Sequence, residues 1–439
     1  MKIPKRIAQT LINSLKGGVV PRVGLPYVAV GRKAEIDALL RDVDIIADGG
    51  ASFRFIVGKY GSGKSFLLQT VRNYVMARDF VVVDADLSPE RRLRGTRGQG
   101  LATYRELIRN MSTKTKPEGG ALSLILDRWI NSLQQDVMAE QGLAMDDSAL
   151  GAAVERKIGT VIAAVNELVH GFDFARLLTL YYRAYTQGDD ETRANVLKWF
   201  RGEFNTKTEA RQALGVAICI TDDNWYEYLK LFASFLTQAG YAGMLVLVDE
   251  LVNIYKVPHA VTRQYNYEKL LTMYNDAMQG RTHHLGMIFC GTPQCMEDPR
   301  RGVFSYEALR SRLAEGRFTA SGEHTDLLSP VIRLRPLTYE ELLVLIEKLA
   351  AIHTVLYDYE QILTQADMVD FLQIEFARIG ADTHITPREI IRDFIEVLDI
   401  TCQNPKLPVK KLLGSDTFSY AQNDAAGQET SEEFAEFDI

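Results

Sequence analysis

The sequence has no apolar run approaching the roughly 20 residues that a membrane-spanning helix needs, which leaves no candidate for an integral helical membrane role. Cysteine is scarce. There are four, Cys219, Cys290, Cys295 and Cys402. Cys290 and Cys295 have C-x4-C spacing but no second pair and no neighbouring histidine cluster, so the expectation is buried free thiols in a reducing compartment rather than a zinc site. Excess positive charge is also lacking: the formal net charge is −7. That excludes a basic coat over the whole surface, though not a local basic groove. The N-terminal stretch MKIPKRIAQTLINSLKGGVVP carries positive charge but no continuous hydrophobic segment, so it does not read as a secretory signal, and a cytoplasmic location is expected. Lys and Arg are missing altogether after Leu413. Residues 413–439 are therefore expected to be an acidic, disordered tail.

What is present is the make-up of a soluble globular protein, 46% hydrophobic and 24% charged. Its 439 residues are enough for two or three domains, or for one large domain with insertions.

The most specific stretch is GKYGSGKS, Gly58, Lys59, Tyr60, Gly61, Ser62, Gly63, Lys64 and Ser65. It fits G-x-x-x-x-G-K-[ST] at every defined position. Glycines let the backbone turn with positive φ and aim N–H groups at an anion. A helix N-terminus then favours negative charge. Lys64 is placed to reach the β- and γ-phosphates of ATP, and the Ser65 hydroxyl to ligate Mg²⁺. The context agrees: Phe53 to Val57 alternates like a strand, and Phe66, Leu67, Val71 and Val75 recur at helical spacing.

Residues 244–250 read MLVLVDE, an apolar run ended by two acids, as in a parallel strand covered on both faces. Beside a phosphate loop, Asp249 suits the metal and Glu250 the polarisation of an attacking water. A third strand, LGMIFCG, ends at Thr292. Thr292 is either a polar group completing the γ-phosphate site or the cap of the next turn.

With those elements placed, other segments resemble the origin-recognition-type AAA+ ATPases. Val30-Gly31-Arg32-Lys33-Ala34-Glu35 is similar to their V-G-R-x-x-E box, which implies that Arg32 lies against the adenine. SYEALRSRL, residues 305–313, resembles the stretch that offers an arginine finger to a neighbouring subunit. Arg312 is the better match and Arg310 its neighbour, and the finger implies a homo-oligomer. In HITPRE, residues 384–389, Thr386 suits an N-cap and Pro387 the first helical turn, and Arg388 resembles the lid arginine called sensor 2. Either arginine also suits a surface salt bridge. More narrowly, IAQTLINSLKGGVVP, VDADLSPERRLRGTRGQGLATYRELIRNM and VDELVNIYKVP are similar to the ATP-binding proteins of bacterial BREX-type phage-defence islands, over most of residues 1–400. This implies work against foreign double-stranded DNA with a helicase or other island-encoded partner, such as a methyltransferase or large P-loop protein.

The expected fold class is α/β. It is a P-loop AAA+ core with a central parallel sheet (28–118 and 216–335), after an N-terminal helix or arm (1–27). A long helical insertion (119–215) and a C-terminal helical lid (336–412) complete it. The interval of about 180 residues between phosphate loop and acidic strand far exceeds the roughly 30 of a βα unit, hence the insertion. Its Trp129, Tyr181, Tyr182 and Tyr185 read as core before base-stacking groups. After the lid no room is left for the winged-helix DNA-binding domain of the origin-recognition group. The best basic stretch is PERRLRGTRGQG, residues 89–100, with Arg91, Arg92, Arg94 and Arg97. It reads as a solvated or partner-docking loop slightly ahead of a DNA-backbone contact. Lys406, Lys410 and Lys411 form a smaller patch with the same two readings. The leading function is an ATP hydrolase that drives or switches DNA-associated work in phage defence. The alternative is a nucleotide-dependent scaffold with little hydrolysis.

Overall fold

Runs rich in β-branched and aromatic residues become five strands: β1 (Ala51–Val57), β2 (Val81–Asp86), β3 (Met244–Asp249), β4 (Leu285–Gly291) and β5 (Val331–Arg333). They form one parallel sheet in the order β2-β3-β4-β1-β5. The structure is a computed structural model that describes residues 3–166, 170–314, 316, 326–379 and 386–413. The chain divides into two units, Arg32–Arg335 and the combination of Met1–Gly31 with the residues from Pro336 onward.

The sheet lies in the first unit. Its strands are apolar at nearly every position because both faces are covered. Phe53, Phe55, Val83, Val246 and Phe289 point into one core, and Ile56, Val82, Leu247 and Ile288 into another. The second core is closed by Leu39, Val43 and Ile46 of the helix Lys33–Ala47 and by Leu67, Val71 and Val75 of the helix Lys64–Ala77. The first core extends without a break into the helices between Leu122 and Leu214. The aromatics of that segment are packing groups: Trp129, Tyr181 and Tyr182 are buried, and half-buried Tyr185 donates to Asn131 Oδ1 at 3.2 Å.

One charged pair is embedded here. Arg54 of β1 is buried and meets Asp42 of the helix Lys33–Ala47 through two hydrogen bonds, 2.6 and 2.7 Å, and donates to Leu328 O at 2.7 Å.

In the other unit, the helix Lys5–Lys16 packs Ala8, Leu11, Ile12 and Leu15 inward and meets the helices Tyr339–Tyr357 and Pro387–Gln403. Thr338 and Thr386 each close a capping box, with Glu341 and Glu389. Thr364 exchanges the equivalent bonds with Asp367. Buried His353 joins the helices: Nδ1 accepts from the Tyr359 hydroxyl at 2.9 Å and Nε2–H donates to Asp399 at 3.0 Å. Lys16 donates to the other Asp399 oxygen at 2.6 Å. Burial keeps His353 below the ordinary histidine range, hence neutral. Burial pushes Asp399 up, but hydrogen bonds from Lys16 and His353 outweigh it and hold the carboxyl low. The tail from residue 414, with His384 and Ile385, lies outside the described residues.

Candidate functional site

All elements of the expected nucleotide site except Arg388 belong to the unit Arg32–Arg335. β1 ends at Val57 and the helix Lys64–Ala77 begins at once, so residues 58–63 must turn tightly. Gly61 (φ 74°) and Gly63 (φ 92°) make that turn in the left-handed region that favours glycine. Gly58 is needed for closeness instead, since a Cβ there would stand 2.5 Å from Ser62 Oγ. Lys59 and Tyr60 face solvent. Ser62 Oγ is buried with no hydrogen-bond partner among the described residues.

Lys64 Nζ folds back onto the loop and donates to Gly58 O at 2.8 Å and Lys59 O at 2.9 Å. Burial holds its pKa below the usual lysine value, against the pull of Asp249 and Glu250. Ser65 Oγ donates to Asp249 Oδ2 at 2.6 Å, across 184 residues of sequence. The other Asp249 oxygen accepts from the Glu250 N–H at 2.8 Å. Glu250 has positive φ, 60°, and is exposed beyond the strand end. The donor set of hydroxyl and carboxylate oxygens fits a hard cation such as Mg²⁺. The orphaned Ser62 hydroxyl, the backed-up lysine and the left-handed glycines fit a phosphate chain.

Thr292 caps the short helix Pro293–Glu297, accepting from Cys295 N at 3.3 Å. Gly58 N donates to Gly291 O, so the end of β4 touches the loop one residue before Thr292. Cys290 and Cys295 are free and buried, and burial pushes both thiols up. Arg32 donates to Ser62 O at 3.1 Å and pairs with Glu35 at 3.2 Å. It therefore ties the phosphate loop to the first turn of the helix Lys33–Ala47. Arg310 and Arg312 are exposed on the helix Glu307–Leu313, and Arg312 Nη1 donates to Ala308 O at 2.7 Å within that helix. Neither lies in a contact with the phosphate loop among the described hydrogen bonds. Arg388 is in the other unit, in the first turn of the helix Pro387–Gln403.

Asp86 is the residue that sequence reasoning missed. The β2–β3 register sets it opposite Asp249. Asp86 is exposed at the strand end, yet partial desolvation of its carboxyl there, then repulsion from Asp249, Asp84 and Glu250, raises it to about 6. The signal was there in VVVDAD, a second apolar run ended by an acid.

Among the described residues, no helix is long and apolar enough to cross a membrane. A family model described as "BREX system ATP-binding protein BrxC/D" matches residues 3–417. No curated protein matches the chain.

Proposed function

From the premise that the chain belongs to the BREX system ATP-binding protein family BrxC/D, we propose that it is an ATP hydrolase whose turnover drives or switches DNA-associated work. ATP binding in a BREX phage-defence system is the family's role. Hydrolysis, a DNA target, a helicase or other island partner, and self-assembly are the finer reading.

The Ser65–Asp249 contact carries it. Two residues far apart in sequence meet where a magnesium–phosphate group needs one hydroxyl and one carboxylate. The loop N–H groups of residues 58–65 and the Lys64 amine hold the phosphates. Ser65 and Asp249 are the residues that would hold Mg²⁺, which would neutralise charge on the phosphates. Glu250, next in the chain and open to solvent, orients and deprotonates a water. Thr292 stands near enough in the chain to Gly291 to sense the terminal phosphate. Arg312 serves a neighbouring copy in trans.

The test is equilibrium binding of a fluorescent ATP analogue with Mg²⁺. Lys64→Ala loses a charge-assisted contact and weakens binding by about ten- to a hundredfold. Unchanged binding contradicts the placement of the phosphates.

A further inference from the structure

The arginine-rich segment 89–98 leaves β2 as an irregular loop, yet its backbone is held at most of its residues. Asn266, fully buried, turns three of its four amide hydrogen bonds to this region. Oδ1 accepts from Leu93 N and Arg94 N, both at 2.9 Å, and Nδ2 donates to Arg94 O at 3.0 Å and Thr262 O at 2.8 Å. Thr103 Oγ1 donates to Arg92 O at 2.7 Å, and Trp225 Nε1 to Leu93 O at 3.2 Å. Asp222 accepts from Gly98 N at 2.8 Å and from Leu101 N at 2.6 Å. Leu93 anchors the loop in the core. A loop that only met water would not need this buried scaffold.

The scaffold fixes the backbone from which guanidinium groups project. Arg94 and Arg97 are exposed. Arg94 lies over the ring of Tyr265, 4.9 Å from its centroid, and that ring is itself 44% exposed. Among the described residues no ion pair joins Arg92, Arg94 or Arg97 to a carboxylate, and several of the acids nearby are engaged, although the Glu90 charge also acts on Arg91 and Arg92. Glu90 binds Ser88, Glu106 pairs with Arg91 and Arg109, and Asp222 is bound to backbone N–H groups. The contact with tyrosine restricts the exposed Arg94 guanidinium, whose planar fork suits phosphate oxygens.

The root of the loop sits on the nucleotide site. Leu87 N donates to Asp249 O at 3.1 Å, Asn253 Nδ2 donates to Leu87 O at 2.8 Å, and Arg91 Nε donates to Asp86 O at 2.9 Å. A shift of the Asp249–Asn253 segment therefore moves the loop.

We propose that Arg94 and Arg97, with Arg92 behind them and Tyr265 beneath, grip the phosphodiester backbone of DNA, and that the Leu87–Asp249 bond ties this grip to the nucleotide site. The backbone carries most of such affinity, so the grip is indifferent to sequence. The tie to nucleotide rests on the proposed ATP site, whereas the grip itself does not.

The experiment is fluorescence anisotropy of the full chain with a labelled mixed-sequence duplex and with the matching single strand, at stepped NaCl and without nucleotide. Arg94→Ala/Arg97→Ala weakens binding about tenfold or more, and the slope of log affinity against log salt falls by about two, near 0.9 for each lost contact. Arg94→Lys/Arg97→Lys retains most of the slope, and Arg41→Ala, on the helix Lys33–Ala47, changes neither. Loss in either arm supports the grip and identifies the form of DNA it holds. Unchanged affinity and slope in both arms, absence of wild-type binding to either DNA, or displacement of DNA by polyglutamate at equal charge overturns it. Lys64→Ala separates the two readings: it loses ATP and keeps nucleotide-free DNA binding, so failure of the grip leaves the ATP site standing.

Discussion

Two carboxylates at the ends of adjacent strands are under opposite constraints. Asp249 has both oxygens engaged, by Ser65 Oγ and by the Glu250 N–H. Asp86, its register partner, faces the same negative charge, and its carboxyl rises from 3.8 to about 6. Between those values the folded protein keeps a proton that the unfolded chain has released, so this group makes stability fall as pH rises across that window. Above it, the charged form is a standing cost. Asp86→Asn is therefore expected to raise the melting temperature of the nucleotide-free protein at pH 7. The gain shrinks as pH is lowered through 6 and is gone near pH 4. Melting curves across that range check it, and a gain that does not change with pH would mean that the Asp86 charge is not its source.

At the scale of elements, the buried Asp42–Arg54 pair bolts the helix Lys33–Ala47 to β1. Removing one partner strands the other charge in the core. Asp42→Ala should lower unfolding free energy by about 3–5 kcal/mol, measured by urea denaturation, and a loss below about 1 kcal/mol would mean that water reaches Arg54 after all. This pair was not legible in the sequence. An arginine between Phe53 and Phe55 looks like the polar member of an alternating strand, and nothing in Asp42 marks it as buried. β1 to β4 were legible because apolar runs bounded by glycine, threonine or acid need little tertiary information. β5 was not, because three residues carry no period and the strand exists only by pairing with β1. The phosphate loop was legible because its glycines, lysine and serine are required by local geometry. Asp86 was hidden because its significance comes from register with a strand more than a hundred residues away. The face of the helix Lys5–Lys16 was also legible, but not its partners, the helices of the C-terminal unit.

For the whole molecule, Arg310 and Arg312 are exposed, and among the described residues the hydrogen bond shown for them is from Arg312 Nη1 to Ala308 O. The proposed role in trans gives a conditional expectation. Arg312→Ala should reduce ATP turnover about a thousandfold in a sample whose mass shows an assembly, and leave a monomer's ATP affinity unchanged. Mass measurement with ATP, Mg²⁺ and DNA, paired with turnover, checks both parts. Full activity in a confirmed assembly removes the finger.

ATP hydrolysis at Lys64, Ser65, Asp249 and Glu250, rather than ATP binding alone, is the proposal on which the other roles rest. Single-turnover phosphate release by Glu250→Gln, with bound nucleotide quantified in the same sample, tests it most directly. Wild-type ATP occupancy with release slowed about a hundredfold or more is expected; release at the wild-type rate would remove Glu250 from the hydrolytic step.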